Sequence, residues 1–430
     1  MNINNTRIHL LAREGAWVVI GNIISVAGSL ALIRVLTEFL DPSQYGKLAL
    51  ALTMAGLVNQ VVMGGVANGI IRFYSIAAEK QDLSGYLRAS WRLMCGATLV
   101  TVAIALILLT CLLVLRYSQW LTVTASAVVF SIMSSYNNAL SGIQNAARQR
   151  AIVAFHSGLD AWLKILLAVG VIHWLGISST SVLIGYALSS LFVTGSQFIF
   201  LHRLILNRNQ SSSSGVTWTR KMWDYSWPFS AWGTFTWLQQ SSDRWSLEAF
   251  SNTQDVGLYA VLFQVGYAPI SIVATMLVSF IGPILFERSG DATDASRNLY
   301  VHKMIWRITF FGLFFALMSF LLSWALHDWL FRLFVSKQFY VVSYLLPWMV
   351  LAGGFFAIGQ ILVLKLASEM RSAAMIKAKI VTAVLGIFFC LYGAHSAGLK
   401  GIVAAVVAFS TIYLLWMLQL SIKLTSTVVK

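Results

Sequence analysis

Charged residues are scarce in this sequence. Its 430 residues include 30 Lys or Arg and 15 Asp or Glu, a charged fraction of 10%, whereas about a quarter of the residues of a soluble domain are charged. So low a fraction excludes a soluble globular enzyme.

Reactive and metal-binding side chains are also few. Cys95, Cys111 and Cys390 lie far apart in apolar stretches, and the seven histidines are scattered, so the chain has neither a disulfide framework nor metal-ligand spacing. It contains no G-x-x-x-x-G-K-[ST] phosphate loop, no His/Glu metal motif and no nucleophile elbow. We therefore expect no metal, no cofactor, no nucleic-acid partner and no enzymatic activity, which leaves transport as the leading class.

Apolar residues make up 58% of the chain, and they cluster in runs long enough to cross a bilayer, which takes about 20 residues. Because unpaired backbone groups are costly in lipid, these runs predict helices. The sequence thus predicts an all-α integral membrane protein with twelve transmembrane helices. The predicted helices are 15–36, 46–66, 93–115, 119–142, 152–174, 181–202, 226–249, 257–285, 305–326, 340–363, 373–395 and 400–422.

The positive charges are distributed asymmetrically over the predicted loops. With a cytoplasmic N-terminus, the inner loops and tails hold 22 Lys or Arg and the outer loops hold 5. Because cytoplasmic loops are enriched in Lys and Arg, this predicts that both termini are cytoplasmic.

The chain also suggests two halves. Its longest polar interruption, 203–225, contains the run Ser211 to Ser214 and lies at the midpoint, which is typical of a flexible linker. We predict an N-terminal six-helix lobe (1–203), a cytoplasmic Ser-rich linker (204–221) and a C-terminal six-helix lobe (222–430) around a central cavity. A weak repeat agrees with this division. The segment RVLTEFLDPSQYG in the first half resembles the segment RWSLEAFSNTQDVG, which lies about 210 residues later in the second half.

Three polar residues share one face of the predicted fifth helix. His156, Asp160 and Lys164 recur at i, i+4 and i+8. A charge near the middle of a membrane helix costs about 2.5–3.5 kcal/mol, so such residues normally face protein or a wet cavity. Asp160 and Lys164 are either a self-neutralising structural pair or a switch in which protonated Asp160 frees Lys164 to bind an anion. His156 alone is a weak indication.

The predicted seventh helix carries a second polar run. Asp243, Arg244 and Glu248 follow Gln239 to Ser242, so this part of the helix is expected to face water or a polar ligand. Arg244 and Glu248 are spaced as an i, i+4 pair, as are Arg34 and Glu38. The alternative for both arginines is snorkelling to outer headgroups.

Five tryptophans crowd the same region. Trp223, Trp227 and Trp245 fit a membrane interface, where this residue is enriched. Trp232 and Trp237 lie deeper and present candidate faces for stacking on a sugar or for contact with a cation.

The sequence resembles the polysaccharide (O-antigen type) flippases of the multidrug/oligosaccharidyl-lipid/polysaccharide exporter superfamily. The resemblance is strongest in the first, second, seventh and early eighth predicted helices. It rests on LIRVLTEFLDPSQYGKLALA (Leu32 to Ala51), then Gly69, Arg72, Phe73 and Tyr74, and then Trp227, Pro228, Asp243, Arg244, Gly257, Leu258 and Tyr259.

The resemblance implies movement of undecaprenyl-pyrophosphate-linked oligosaccharide from the cytoplasmic to the periplasmic leaflet of a bacterial inner membrane. It also implies two lobes around a cationic cavity, and contacts with membrane lipids, a polysaccharide polymerase and a chain-length regulator. Our candidates for binding the anionic headgroup are Lys164, Arg244, Arg34 and Arg72, and those for proton or ion coupling are Asp160, Asp243, Glu248 and His156.

Two other functions remain open at this point. A multidrug or toxin cation antiporter of the same superfamily would prefer an acidic, aromatic cavity. A polysaccharide polymerase or lipid-linked glycosyltransferase would need a catalytic outer loop, and the longest predicted one, 327–339, holds only Asp328, Arg332 and Lys337 as charged residues.

Overall fold

The protein is almost entirely helical in the part that the structure describes. The computed structural model describes residues 3–206, 217–289, 295–368 and 372–425, and no strand lies in these ranges. The α-helices are α1 (Ile3–Phe39), α2 (Pro42–Leu57), α3 (Met63–Glu79), α4 (Leu83–Val114), α5 (Leu121–Ala146), α6 (Arg150–Leu175), α7 (Ser179–Leu206), α8 (Trp218–Phe250), α9 (Thr253–Leu262), α10 (Ala268–Ser289), α11 (Ala295–Phe334), α12 (Leu346–Ser368) and α13 (Ser372–Thr425).

Short segments of other helix types join some of these elements. Val58–Val62 joins α2 to α3 and Phe263–Tyr267 joins α9 to α10, both as π-helix, and 3₁₀ turns precede α5 (Ser118–Trp120) and α12 (Lys337–Leu345). The predicted second and eighth helices are therefore each interrupted by one π-helical turn. π-Helical turns are rare in proteins overall, and those that do occur are often found at functional sites.

Nine helical stretches among the described residues are long and apolar enough to cross a membrane, so the chain is a multi-pass membrane protein. The nine omit α5 and α8, on which the predicted fourth and seventh crossings fall, because polar and small residues interrupt both helices. They also merge the predicted eleventh and twelfth crossings into one stretch, Lys377–Ile422. The number twelve and the cytoplasmic termini stay predictions.

Several helices extend well past their predicted ends. α11 runs to Phe334 and a 3₁₀ segment starts at Lys337, so most of the predicted outer loop 327–339 is helical. Hydropathy marks only the apolar part of a helix, whereas backbone hydrogen bonding continues into its polar ends. Conversely, α13 is broken where Gly398 has φ 54° and ψ −129°, a conformation that favours glycine. The break falls between the predicted helices 373–395 and 400–422.

Contacts between Cα atoms divide the chain into two compact units. The first unit comprises Met1–Leu40 and Lys47–Gln240, and the second comprises Asp41–Gly46 and Ser241–Lys430. The boundary between them lies inside α8. The predicted lobes 1–203 and 222–430 stay a prediction, and residues 207–216 of the predicted linker lie outside the described residues.

In the first unit, α1 packs on α6, and α7 packs on both α5 and α6. The N-terminal part of α8 belongs here because specific contacts hold it. The Trp218 indole N–H donates to Asp82 Oδ2 at 2.7 Å, and that of Trp237 donates to the Thr53 carbonyl at 2.7 Å. At Gly65 of α3, a Cβ would collide with the Ser230 side chain.

In the second unit, α12 is buried among α10, α11 and α13, with Ile305, Leu362 and Tyr413 in the core. The short segment 41–46 packs against the start of α9. A Cβ on Gly46 would fall on the carbonyl oxygen of Thr253, and a Cβ on Gly257 on that of Pro42. The two glycines of the predicted repeat thus make reciprocal contacts.

Candidate functional site

The predicted face of α6 carries a close ion pair. Lys164 Nζ donates to Asp160 Oδ2 at 2.5 Å, with side chains 22% and 17% exposed. The other carboxylate oxygen, Oδ1, accepts a hydrogen bond from Ser189 Oγ of α7 at 3.1 Å. Both Asp160 oxygens therefore have donors, and α6 and α7 are joined through this carboxylate.

Two aromatic rings complete the surroundings of the Lys164 ammonium. Its Nζ lies 5.7 Å from the Phe130 ring centroid and 5.9 Å from that of Tyr186. Both rings are buried and come from α5 and α7, and their centroids are 5.6 Å apart. Ring faces attract a cation within about 6 Å, so the ammonium is close to one carboxylate and to two rings.

His156 lies on α6 but bonds elsewhere. Its Nδ1 is 2.8 Å from the Ile152 carbonyl and its Nε2 is 3.1 Å from Ser196 Oγ, and the residue is buried. Both ring nitrogens thus have partners outside the Asp160–Lys164 pair. Its role in coupling stays a prediction.

The second unit holds the polar cluster of the predicted seventh helix. Asp243 is buried and accepts the Tyr259 hydroxyl at 2.6 Å and the Arg244 backbone N–H at 2.7 Å. The Arg244 guanidinium forms an ion pair with Asp243 at 3.7 Å, with its side chain 14% exposed. It also lies 4.9 Å from the centroid of Phe263, the first residue of the second π-helical turn.

Glu248 bonds to the start of the next helix. Its Oε1 accepts the Thr253 hydroxyl at 2.9 Å, whereas Oε2 is buried and has no hydrogen-bond partner among the described residues. An unsatisfied buried carboxylate oxygen is costly. A hydrogen-bond donor on a ligand would therefore stabilise Glu248 Oε2.

The other two candidate cations are more exposed. Arg34 Nη2 pairs with Glu38 Oε1 at 2.5 Å, with side chains 39% and 50% exposed, as the i, i+4 spacing predicted. Arg72 lies exposed on α3. Arg34, Arg72 and Lys164 belong to the first unit and Arg244 to the second, and binding of a headgroup by these four residues stays a prediction.

The two candidate sugar-stacking tryptophans differ. Trp237 uses its indole N–H on the Thr53 carbonyl, which ties α8 to α2. Trp232 is 45% exposed and so has a surface available for stacking. Sugar stacking by either residue stays a prediction.

Sequence reasoning missed the partners of these charges. Phe130 and Tyr186 lie at Lys164 and Ser189 bonds to Asp160, whereas Tyr259 and Phe263 lie at Arg244. All five come from helical segments other than the one that carries the charged residue, and no spacing in the sequence links them to it. Among the described residues, no group of three or more His, Cys, Asp or Glu could hold a metal ion.

Comparison with solved structures identifies the fold. The chain is similar to the lipid II flippase MurJ in an inward closed conformation, with a TM-score of 0.68, 13% identity and coverage of 96% of this chain and 87% of that one. It is also similar to an inward-facing multidrug resistance MATE transporter of the MOP superfamily, with a TM-score of 0.64, 13% identity and 95% coverage of both chains.

A third similar structure is a MOP superfamily transporter from Pyrococcus furiosus described by a reversed polarity of its binding pocket. Its TM-score is 0.53, with 15% identity and coverage of 98% of this chain and 96% of that one. At these identities the likeness concerns the fold alone. A search of curated protein sequences found no match.

A match between the amino-acid sequence and a family model shows the family to which the chain belongs. Residues 11–288 match the family model described as polysaccharide biosynthesis protein, which is well over half of the chain. The protein thus shares the fold of these solved structures and belongs to the polysaccharide biosynthesis protein family.

Proposed function

We propose that this protein is a flippase that moves undecaprenyl-pyrophosphate-linked oligosaccharide repeat units, of O-antigen or a similar surface polysaccharide, from the cytoplasmic to the periplasmic leaflet. The observation that carries this proposal is the family match over residues 11–288 on a fold shared with a lipid II flippase. The chain acts by alternating access, coupled to an ion gradient, and catalyses no reaction.

The proposal includes an arrangement in the membrane. Twelve crossings form two six-helix lobes, 1–203 and 222–430, with both termini in the cytoplasm and the chain in a bacterial inner membrane. The predicted inner loops and tails hold 22 cations and the outer loops 5, which supports this orientation. A polysaccharide polymerase and a chain-length regulator act on the cargo after its release.

The charge of the cargo fits the charge of the chain. An anionic pyrophosphate needs cations, and the formal net charge is +15. In addition, an inside-negative potential favours outward movement of anions by about 2.3 kcal/mol per charge per 100 mV. The headgroup is bound by Lys164, Arg244, Arg34 and Arg72, coupling uses Asp160, Asp243, Glu248 and His156, and Trp232 and Trp237 stack on sugar.

Loss of the gene tests the proposal. In a deletion strain, complete lipid-linked repeat units should accumulate on the cytoplasmic leaflet and surface glycan should fall, and the intact gene should restore both. Complete but unpolymerised units on the periplasmic leaflet would instead indicate a polymerase and would refute the flippase.

A multidrug or toxin cation antiporter is the second candidate. Two observations favour it: the MATE likeness covers 95% of both chains, and an ammonium group in the first unit lies close to one carboxylate and two aromatic rings. Efflux of a cationic dye restored by the protein in a sensitive strain, together with normal surface glycan in the deletion strain, would select the antiporter.

A further inference from the structure

A groove in the first unit lies among α3, α4, α5 and α7, apart from the charged residues described above. It encloses about 340 Å³, whereas an engineered cavity of about 150 Å³ already binds benzene. α4 contributes Leu87, Trp91 and Met94, and α5 contributes Tyr136 and Leu140. The Trp91 and Tyr136 ring centroids are 6.0 Å apart, so the aromatic side chains of the two helices are in contact.

The lining of the groove is almost entirely apolar. Ser90 Oγ donates to the Tyr86 carbonyl at 2.9 Å, and the Tyr136 hydroxyl is 3.0 Å from Thr98 Oγ1, so both groups are already bonded within the protein. The Thr194 hydroxyl oxygen is buried and has no hydrogen-bond partner among the described residues, but a single hydroxyl does not recognise a sugar. Such a lining favours an apolar ligand.

The groove lies toward one end of the helices that form it. α4 begins at Leu83, so Leu87 and Met94 lie about 6 and 17 Å along it at 1.5 Å per residue. α5 ends at Ala146, three residues after the lining residue Ile143. α4 is long and apolar enough to cross a membrane. The groove therefore falls at the depth where acyl chains begin, and a chain must fill it because an empty groove forfeits dispersion contacts.

Two arginines lie at the same ends of these helices. Arg88 follows the lining residue Leu87 on α4, and Arg148 lies two residues after the end of α5. Both are exposed, and neither forms an ion pair within the described ranges. In the predicted orientation both are cytoplasmic, and basic pockets between membrane helices on that side bind anionic lipid headgroups.

We propose that the groove binds one acyl chain of an anionic phospholipid whose phosphate lies at Arg88 and Arg148. The arginines select a headgroup with net negative charge over a zwitterionic headgroup on the same chains. The groove holds the chain more firmly than the surrounding bilayer does, because protein atoms contact it on several sides. This lipid is a bound component of the first unit rather than cargo, so the site does not rest on the proposed flippase function.

Lipid binding to the purified full-length protein tests the site. Native mass spectrometry counts the molecules bound during titration with dioleoyl phosphatidylglycerol, dioleoyl phosphatidylcholine or undecaprenyl phosphate. We expect the first phosphatidylglycerol to bind about 10- to 30-fold more tightly than the first phosphatidylcholine, because two arginines attract the net negative charge.

Variants locate the bound lipid. Leu140→Trp fills the groove and should abolish the tight binding of phosphatidylglycerol, whereas Leu106→Trp, at an exposed residue of α4 outside the groove, should preserve it. Leu87→Trp serves as a second groove-filling variant if Leu140→Trp does not fold. Arg88→Gln combined with Arg148→Gln changes exposed residues alone and should lower the affinity for phosphatidylglycerol to that for phosphatidylcholine.

Equal affinities of the wild type for the two phospholipids would overturn the proposal, as would tight binding of phosphatidylglycerol that persists in a folded groove-filling variant. Undecaprenyl phosphate that binds more tightly than phosphatidylglycerol, and loses this binding in Leu140→Trp, would also overturn it by assigning the groove to the lipid tail of the cargo. Failure of the protein to move glycan in cells would refute the flippase and leave the lipid-binding results intact.

Discussion

The carbonyl oxygen of Pro42 lies where a Cβ on Gly257 would have to be. Gly46 stands in the same relation to Thr253, so the two glycines at matching positions of the repeat approach each other's helix start. Both starts are capped alike, because Asp41 Oδ1 accepts the Gln44 N–H and Asn252 Oδ1 accepts the Asp255 N–H. Only a residue without a side chain permits this approach.

Gly257→Ala should therefore destabilise the protein. The new methyl group would overlap a backbone carbonyl that cannot rotate away, and overpacking of this kind costs about 1–3 kcal/mol. The midpoint of thermal unfolding of the purified protein measures the effect.

Gly96→Ala is the matched control, since Gly96 is also helical but a Cβ there meets nothing within 4 Å. It should be neutral or stabilising by up to about 1 kcal/mol. Equal effects of the two substitutions would contradict the close approach at Gly257.

Trp218→Phe should loosen the start of α8. The change removes the indole donor from Asp82, which is buried, and a hydrogen bond to a charged group contributes about 1.5–3 kcal/mol. We expect a lower unfolding midpoint and faster proteolysis near residue 217. Trp174→Phe, at a residue 87% exposed, should change stability by less than about 0.5 kcal/mol; an equal loss there would show that the contact with Asp82 is unimportant.

Arg244→Ala should lower glycan export while the protein still reaches the membrane. Loss of a charge-assisted contact of about 1.5–3 kcal/mol corresponds to about ten- to hundredfold weaker binding of an anionic headgroup. Arg244→Lys should retain part of the activity, because a point charge replaces some of what a guanidinium does.

The readout for Arg244 is surface glycan relative to the amount of protein in the membrane. Arg92→Ala, at an exposed residue on α4, should export normally. If Arg244→Ala exports glycan as well as wild type does, Arg244 has no role in binding the cargo and serves only the structure around Asp243.

Single cysteines should reveal the orientation of the crossings. After replacement of the three native cysteines, Glu79→Cys should react with a membrane-impermeant thiol reagent only in inverted vesicles, and Tyr117→Cys should react in intact spheroplasts. Both residues are exposed at helix ends. The side of the membrane expected for each follows from the predicted loops, which hold 22 Lys or Arg on the inner side and 5 on the outer side. The opposite pattern would refute the cytoplasmic termini.

Much of the helical architecture could be predicted because apolar runs and backbone hydrogen bonding act locally. The Asp160–Lys164 and Arg34–Glu38 pairs were predictable for the same reason, since residues four apart meet on one helix face. Hydropathy did not locate helix ends: Asp328 and Arg332 were expected in a loop but lie on α11.

The sequence by itself determined that this chain is a helical membrane protein of a polysaccharide biosynthesis family with charged residues inside its apolar stretches, since composition, run length and motif are properties of the chain alone. Only the tertiary structure decided what each charge meets. Packing of α5 and α7 against α6 places Phe130 and Tyr186 at Lys164, and packing around α9 places Tyr259 at Asp243. Contacts between residues far apart in the sequence depend on how the helices pack, and the spacing of residues along one helix does not predict which other helix lies against it.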